Sequence, residues 1–205
     1  MKIDKALLTK IFSGIAELLI EHKAYLNEID SKFGDGDHGV TVDKIANLIN
    51  SELAAWTDNT ISDFLVGLGN KTMRIGGGSS SLLWGTLLSG LGKPVTDEEY
   101  LDMDMIRKMF ASALQEICSV TDARVGDKTM MDAVIPAIEA IQQRSGDMAQ
   151  IFKAASAAAK QGAGDTEKFA CGYGRAKNYG EKSIGTPDPG AVSASLFFEG
   201  FGGAL

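Results

Sequence analysis

Apolar residues recur at intervals of three and four along most of this chain, and sustained alternation of period two occurs nowhere. That contrast restricts the fold, because the first pattern lines one face of a helix while the second is what a half-buried strand requires. After Asp4, placed to cap a helix, Leu7, Leu8, Ile11, Phe12, Ile15, Leu18 and Leu19 form one stripe, which predicts a first helix running to about His22 or slightly beyond. A second begins near Val40 with Val42, Ile45, Leu48 and Ile49 on one side, and a third covers Thr60 to Met73 with Ile61, Phe64, Leu65 and Leu68. Ser79 to Ser81 precede a fourth over Leu82 to Leu88, and Thr96 with Glu99 reads as a capping box before a fifth from about Glu99 to Val120. A sixth follows Lys128 to about Gln142, where Pro136 should kink it if the helix continues. A seventh runs from about Met148 past Ala159, and an eighth starts near Gly190. The expected fold is all-α, a single domain over residues 1–205 built as a barrel or bundle of eight antiparallel amphipathic helices.

Between the first two helices stands a close group of three aspartates. Asp30, Asp35 and Asp37 fall within eight residues, and the segment ends Gly34-Asp35-Gly36-Asp37-His38-Gly39. Carboxylates so close repel one another unless a cation neutralises them, and hard oxygen ligands favour Mg²⁺ or Ca²⁺. Glycines at 34, 36 and 39 let the backbone take conformations that bring several carboxylates to one point. The plain alternative is a solvated acidic turn. An EF-hand does not fit, since counting from Asp35 the twelfth position is Ala46 where that loop needs Glu.

The formal net charge of −7 argues against a broad footprint for nucleic acid or an anionic membrane, so a phosphorylated ligand would need a cation to mediate its contact. Cys118 and Cys171 lack the spacing of a zinc site or disulfide framework, and the first residues lack a secretory pattern, so reduced thiols and a cytoplasmic location are expected. Residues Ile75 to Gly92 carry no charge, but Gly and Ser fill too much of the stretch for a membrane span.

Three further interhelical segments are rich in Gly, Asp, Ser or Thr: Gly76 to Ser81, Gly126 to Met130, and Gly172 to Gly190. In an up-and-down arrangement these and the acidic loop, Asp30 to Thr41, all fall at one end. Gly76-Gly77-Gly78-Ser79-Ser80-Ser81 precedes a helix, whose amides and hydroxyls suit phosphate oxygens; a flexible connection is the alternative. Asp127 is placed to cap the next helix, and Met130 either packs on a flat base or begins a core stripe. Arg175 suits bidentate contact with phosphate, against the alternative of a surface ion pair. His22 lies near a helix C-terminus, where a cation is favourable. His38 is placed to contact phosphate, orient a carboxylate or shape the turn.

Taken together, the motifs resemble the nucleotide-binding L subunit of dihydroxyacetone kinase, also found as the C-terminal domain of single-chain ATP-dependent dihydroxyacetone kinases. The acidic pattern D-x-x-x-G-D-x-D-H-G is met from Asp30 to Gly39, and Gly77-Gly78-Ser79-Ser80 corresponds to the glycine-rich helix start. Gly126-Asp127-Lys128-Thr129-Met130 matches the GDKTM segment. Gly174-Arg175-Ala176, Gly180-Glu181-Lys182-Ser183-Ile184-Gly185 and Asp188-Pro189-Gly190-Ala191 match the C-terminal signature. The chain departs from the commoner pattern at Ser81 and Leu82, where Gly-Pro is usual, and at Thr186 and Pro187, where His-Gln is frequent.

The resemblance implies an eight-helix barrel with ADP or ATP and two Mg²⁺ at one end, the ions held by Asp30, Asp35 and Asp37. It implies a nucleotide surrounded by His38, Gly39, Val40, Thr41, Gly78, Ser79, Ser80, Leu83, Thr121, Met130, Arg175, Asp188, Pro189 and Gly190, with Arg175 also catalytic. The implied activity is phosphoryl transfer to dihydroxyacetone or a related small ketose on a separate ketose-binding subunit, with bound ADP rephosphorylated by a phosphotransferase-system protein in many two-component members. A nucleotide-dependent regulatory module and a metal-dependent phosphatase are the alternatives.

Overall fold

Each helix of the computed structural model, which describes all 205 residues, packs beside its neighbours in the chain, and the last returns to the first. The helices are α1 (Lys5–Glu21), α2 (Lys23–Asp30), α3 (His38–Ala55), α4 (Ile61–Thr72), α5 (Gly78–Gly92), α6 (Met103–Val120), α7 (Met131–Gln143), α8 (Met148–Asp165) and α9 (Pro189–Gly203). Packing runs α1 against α3, then in order through α9, which closes on α1; α2 lies along α3. The ring is the expected all-α, up-and-down fold.

Nine helices stand where eight were expected: α1 ends at Glu21, close to the expected His22, and the short α2 follows directly after His22. That residue takes φ −89° and ψ 4°, and its Nδ1 lies 2.9 Å from the Leu18 carbonyl, so the ring occupies an acceptor of the last turn. Asp4 caps α1 as its position suggested, accepting from the Leu7 amide at 2.8 Å. The capping box expected at Thr96 and Glu99 is not formed: Thr96 bonds Glu98, and Asp102 caps α6 by accepting from Met105 at 2.9 Å. Residues ahead of that cap are extended. Ile3–Asp4 (β1) pairs antiparallel with Tyr100–Leu101 (β2), a two-residue ladder at the end where α1 and α6 begin and the one place strand pairing occurs.

Two other boundaries differ from expectation. α5 begins at Gly78, earlier than Leu82, and α7 begins at Met131, later than Lys128. Asp127 does not cap α7 but accepts from the Arg124 amide; Asp132, wholly buried, takes the Gly126 and Thr129 amides at 2.6 and 2.7 Å and shapes the turn from inside the helix. The helix continues through Pro136.

Phe12, Phe64, Phe110, Phe152, Phe197, Phe198, Phe201 and Trp84 fill the middle of the ring, many edge to face. Burying each such side chain contributes on the order of 1.5–3 kcal/mol, which places most of the driving force at the centre. α5 is buried on nearly every side from Trp84 to Gly92. The glycines of that uncharged stretch permit close helix contact: a Cβ on Gly90 would lie 2.6 Å from the Ala113 Cα on α6. No helix is long and apolar enough to cross a membrane.

Candidate functional site

Helices α3, α5, α7 and α9 all begin at the same end of the ring, so four helix N-termini face the loops gathered there. Each N-terminus carries a positive partial charge, which favours anions at this end of an acidic protein; α5 has no side-chain cap, while Asp30 and Asn27 accept from amides of α3 and Asp188 from one of α9. Two adjoining clefts open among these loops. One, of about 300 Å³, is lined mainly by apolar groups including Leu82, Leu83, Val120, Ala123, Met130 and Met131. The other, of about 600 Å³, is polar and carries Asp30, Asp35, Asp37, Lys44, Arg175 and the Gly76–Ser80 segment. They share His38, Ser79, Ser80, Tyr173, Gly174, Asp188 and Pro189.

The acidic loop is shaped by one of its own carboxylates. Oδ2 of Asp30, at the end of α2, accepts from the amides of Asp37 and His38 at 3.0 and 3.2 Å. Asp37 sits at the N-cap of α3 but makes no capping bond, so its carboxylate is free of the helix. One oxygen from each of Asp30, Asp35 and Asp37 lies within 4.8 Å of the others, a hard-oxygen donor set that fits Mg²⁺. The glycines serve this geometry in two ways. Only Gly36 has positive φ, at 74°; at Gly34 a Cβ would stand 2.2 Å from Oδ1 of Asp30, and at Gly39 2.1 Å from the Lys23 carbonyl. Close approach explains Gly34 and Gly39 where conformational freedom was expected.

His38 joins three helices. Its Nε2 lies 2.9 Å from Oγ of Ser193 on α9, and its Nδ1 3.2 Å from Oγ of Ser80 on α5. Burial pulls its pKa down to about 4 despite the opposing pull of Asp30, so the ring is neutral near pH 7. The Ser193 hydroxyl donates to the Gly190 carbonyl at 3.0 Å, which leaves its oxygen to accept from Nε2–H and leaves Nδ1 to accept from Ser80. Thus the imidazole neither shapes its own turn nor bonds a carboxylate; it fixes the direction of a hydroxyl shared by both clefts.

Asp188 caps α9 by accepting from the Ala191 amide at 2.7 Å, and its own amide donates to Oγ1 of Thr166. Burial drives its carboxyl up to about 7, with Asp132 and Asp30 adding repulsion while the Ala191 amide and Lys128 pull the other way. Lys128 is itself buried, and burial lowers its ammonium below the usual lysine value. Arg175 is largely exposed and pairs with Asp35. Tyr173, between the clefts, donates from its hydroxyl to Asp122 at 2.9 Å.

Of the residues singled out from the sequence, Thr121, Leu83, Met130 and Gly190 line the apolar cleft, and Val40, Thr41, Gly78 and Arg175 the polar one. Ser79, Ser80, His38, Asp188 and Pro189 line both; Gly39 lines neither, being packed on α2. The lining also includes Lys44, Val120, Ala123, Lys128 and Tyr173, which sequence reasoning did not single out. Lys128 lay within the Gly126–Met130 segment, whereas Val120 and Ala123 carry no local signal.

Comparison with known proteins matches residues 32–203 to the DAK2 domain family. The chain is 27% identical over 202 residues to the ADP-binding subunit DhaL of the PEP-dependent dihydroxyacetone kinase of Escherichia coli, covering 97% of this chain and 96% of that one. It is 30% identical to the corresponding subunit of kinase 2 from Listeria innocua, covering 94% of this chain and 91% of that subunit. Against the D-erythrulose kinase of Mycolicibacterium smegmatis it is 31% identical over 93% of its length but spans 34% of the larger enzyme. The native crystal structure of C. freundii dihydroxyacetone kinase superposes with a TM-score of 0.73 at 25% identity, covering 98% of this chain and 34% of that one. Its complex with AMP-PNP and Mg²⁺ gives 0.74 at 24% identity, a likeness of fold. With a family match over most of its length and relatives aligned nearly end to end, the chain belongs to the DAK2 domain family.

Proposed function

We propose that this chain is the ADP- or ATP-binding subunit of a two-component kinase for dihydroxyacetone or a related small ketose. The observation that carries the reading is the junction of an apolar cleft with a polar one across Ser79 and Ser80, with three carboxylates clustered in the polar part. A nucleotide has the same division: a flat base for Leu83, Val120 and Met130, and phosphates for the helix N-termini. The names of the relatives support the nucleotide and the ketose class, and the C. freundii complex pairs AMP-PNP with Mg²⁺ on the same fold.

Asp30, Asp35 and Asp37 would hold two Mg²⁺, which supply the positive charge that lets phosphates approach an acidic loop. Ser79, Ser80 and the uncapped amides beginning α5 orient the phosphate chain, and Asp188 to Gly190 border the base and its sugar. Arg175 stabilises charge on the phosphoryl group in transfer, where positioning and electrostatics provide most of the rate. The phosphorus–oxygen bond to the nucleotide breaks as one forms to a ketose hydroxyl presented by a separate subunit. That division of labour is supported by near-complete coverage of the DhaL subunits against about a third of the larger kinases. The donor that recharges bound ADP is a phosphotransferase-system protein, in keeping with the PEP-dependent relatives.

The test is to titrate the purified chain with ADP and ATP, with and without Mg²⁺, and then to assay transfer to dihydroxyacetone with a ketose-binding subunit and a PEP-fed phosphotransferase chain. Mg²⁺-dependent binding and transfer that requires the second subunit are expected. No binding of either nucleotide in the presence of Mg²⁺ overturns the reading.

A further inference from the structure

We propose that Lys128 is a positioning residue that closes the neck of the loop carrying Tyr173 and Arg175, holding both side chains at the clefts; the proposal rests on the nucleotide reading of those clefts. The chain leaves α8 at Thr166 and returns to α9 after Thr186. Nζ of Lys128 donates to the carbonyls of both residues, at 2.6 Å to Thr166. One ammonium therefore spans the two stems of the loop. Beside it, the Gly185 amide donates to the Glu167 carbonyl at 2.7 Å and the Asp188 amide to Oγ1 of Thr166 at 2.9 Å.

Two costly features meet at this residue. Lys128 is only 4% exposed, and a buried ammonium is unfavourable unless charged hydrogen bonds replace its water. Its backbone φ is 59°, the only positive value at a residue other than glycine. Such a conformation persists where the surrounding structure requires it, and here it directs the side chain inward to the neck. Lysine suits the task, since its compact ammonium carries three donors and two of them meet these carbonyls.

The outer ties of the loop are weaker by nature. Arg175 to Asp35 is a largely exposed ion pair, Tyr173 bonds Asp122 at the surface, and Tyr179 packs edge to face on Phe33. Without Lys128 the stems keep the Gly185 and Asp188 amide bonds and the buried Cys171 amide to Oγ of Ser183, but lose their one charged tie, and the loop should open more readily. Lys128 also stands two residues before Met130, so the neck is fixed to the apolar cleft as well.

The experiment compares the full chain with Lys128→Met by limited trypsin digestion, Mg·ADP titration and circular dichroism. Trypsin reports the loop directly, because Lys168, Arg175, Lys177 and Lys182 lie in it. With helical signal retained, cleavage at these sites should rise about ten- to a hundredfold, ahead of sites in the helices, and Mg·ADP affinity should fall about tenfold. Unchanged loop cleavage, or cleavage raised equally everywhere, overturns the proposal. Should Lys128→Met fail to fold, amide exchange of the wild-type chain decides: Gly185 and Asp188 should exchange about a hundredfold more slowly than Lys177, and equal rates sink the clamp. Proteolysis and exchange need no nucleotide, so a chain that does not bind ADP would refute the kinase reading while leaving the neck to be judged by these measurements.

Discussion

Nε2 of His38 lies 2.9 Å from Oγ of Ser193, joining the start of α3 to α9 across 155 residues of sequence. The contact makes the acidic loop and the last helix one mechanical unit. Together with Ser80 and the Gly190 carbonyl it forms a directed chain of hydrogen bonds, in which a neutral imidazole donates on one side and accepts on the other.

Ser193→Ala tests that chain. It leaves a buried imidazole N–H without an acceptor, which costs about 1–3 kcal/mol. The urea midpoint of the nucleotide-free protein should fall accordingly, and an unchanged midpoint would show that Ser193 is not the partner.

The three aspartates should separate by role. Asp35→Asn and Asp37→Asn are expected to abolish Mg²⁺-dependent ADP binding while leaving helical content intact, and chelator should do the same to wild type. Asp30→Ala should also lose about 1–2 kcal/mol of stability in chelator, because its carboxylate accepts two backbone amides. Wild-type ADP affinity in both asparagine variants would refute the metal assignment.

Gly34→Ala removes no charge yet should weaken Mg²⁺ binding about tenfold or more, since its methyl group would stand 2.2 Å from Oδ1 of Asp30 and must displace that carboxylate. Calorimetric titration with Mg²⁺ in the presence of ADP reads this directly. Undiminished affinity would mean that the loop relaxes without moving Asp30.

Asp188 gives the nucleotide-free protein an unusual pH response. Its folded pKa of about 7 exceeds the ordinary 3.8, so between those values the folded state holds a proton that the unfolded state has released. The associated stability is whole below pH 3.8, declines as pH rises, and is gone once pH passes about 7. The difference corresponds to about 4 kcal/mol. In Asp188→Asn, whose side-chain oxygen can still cap α9, stability measured by urea in chelator should lose this component of its pH slope. Parallel slopes in the two proteins would exclude the assignment.

On the role proposed for it, with its guanidinium acting on charge developed in transfer, Arg175→Gln should lower kcat of phosphoryl transfer by about a hundredfold or more while changing ADP affinity far less. A loss confined to KM would make Arg175 a binding residue alone.

The parts legible in the sequence are those written locally. Asp30, Asp35 and Asp37 fall within eight residues, Asp4 stands one helical turn before the Leu7 amide it caps, and the apolar stripes give the helices and hence the end at which the loops gather. What escaped depends on partners distant in the chain. Nothing beside His38 announces Ser193, and nothing beside Lys128 announces Thr166 or Thr186. The extended residues before α6 were misread because Thr96 and Glu99 fit a local capping rule, while pairing of Tyr100 with Asp4 decided the backbone there. Gly39 stands inside a motif yet serves packing on α2, a distinction that requires knowing where Lys23 lies.

Closure of the ring by α9 on α1 has a consequence for biosynthesis. The residues of α9 are synthesised long after those of α1, so this contact forms only once α9 has emerged from the ribosome. Until then Ser193 and Asp188 cannot meet His38 or Thr166, and a nascent chain carrying the whole acidic loop still lacks one wall of both clefts.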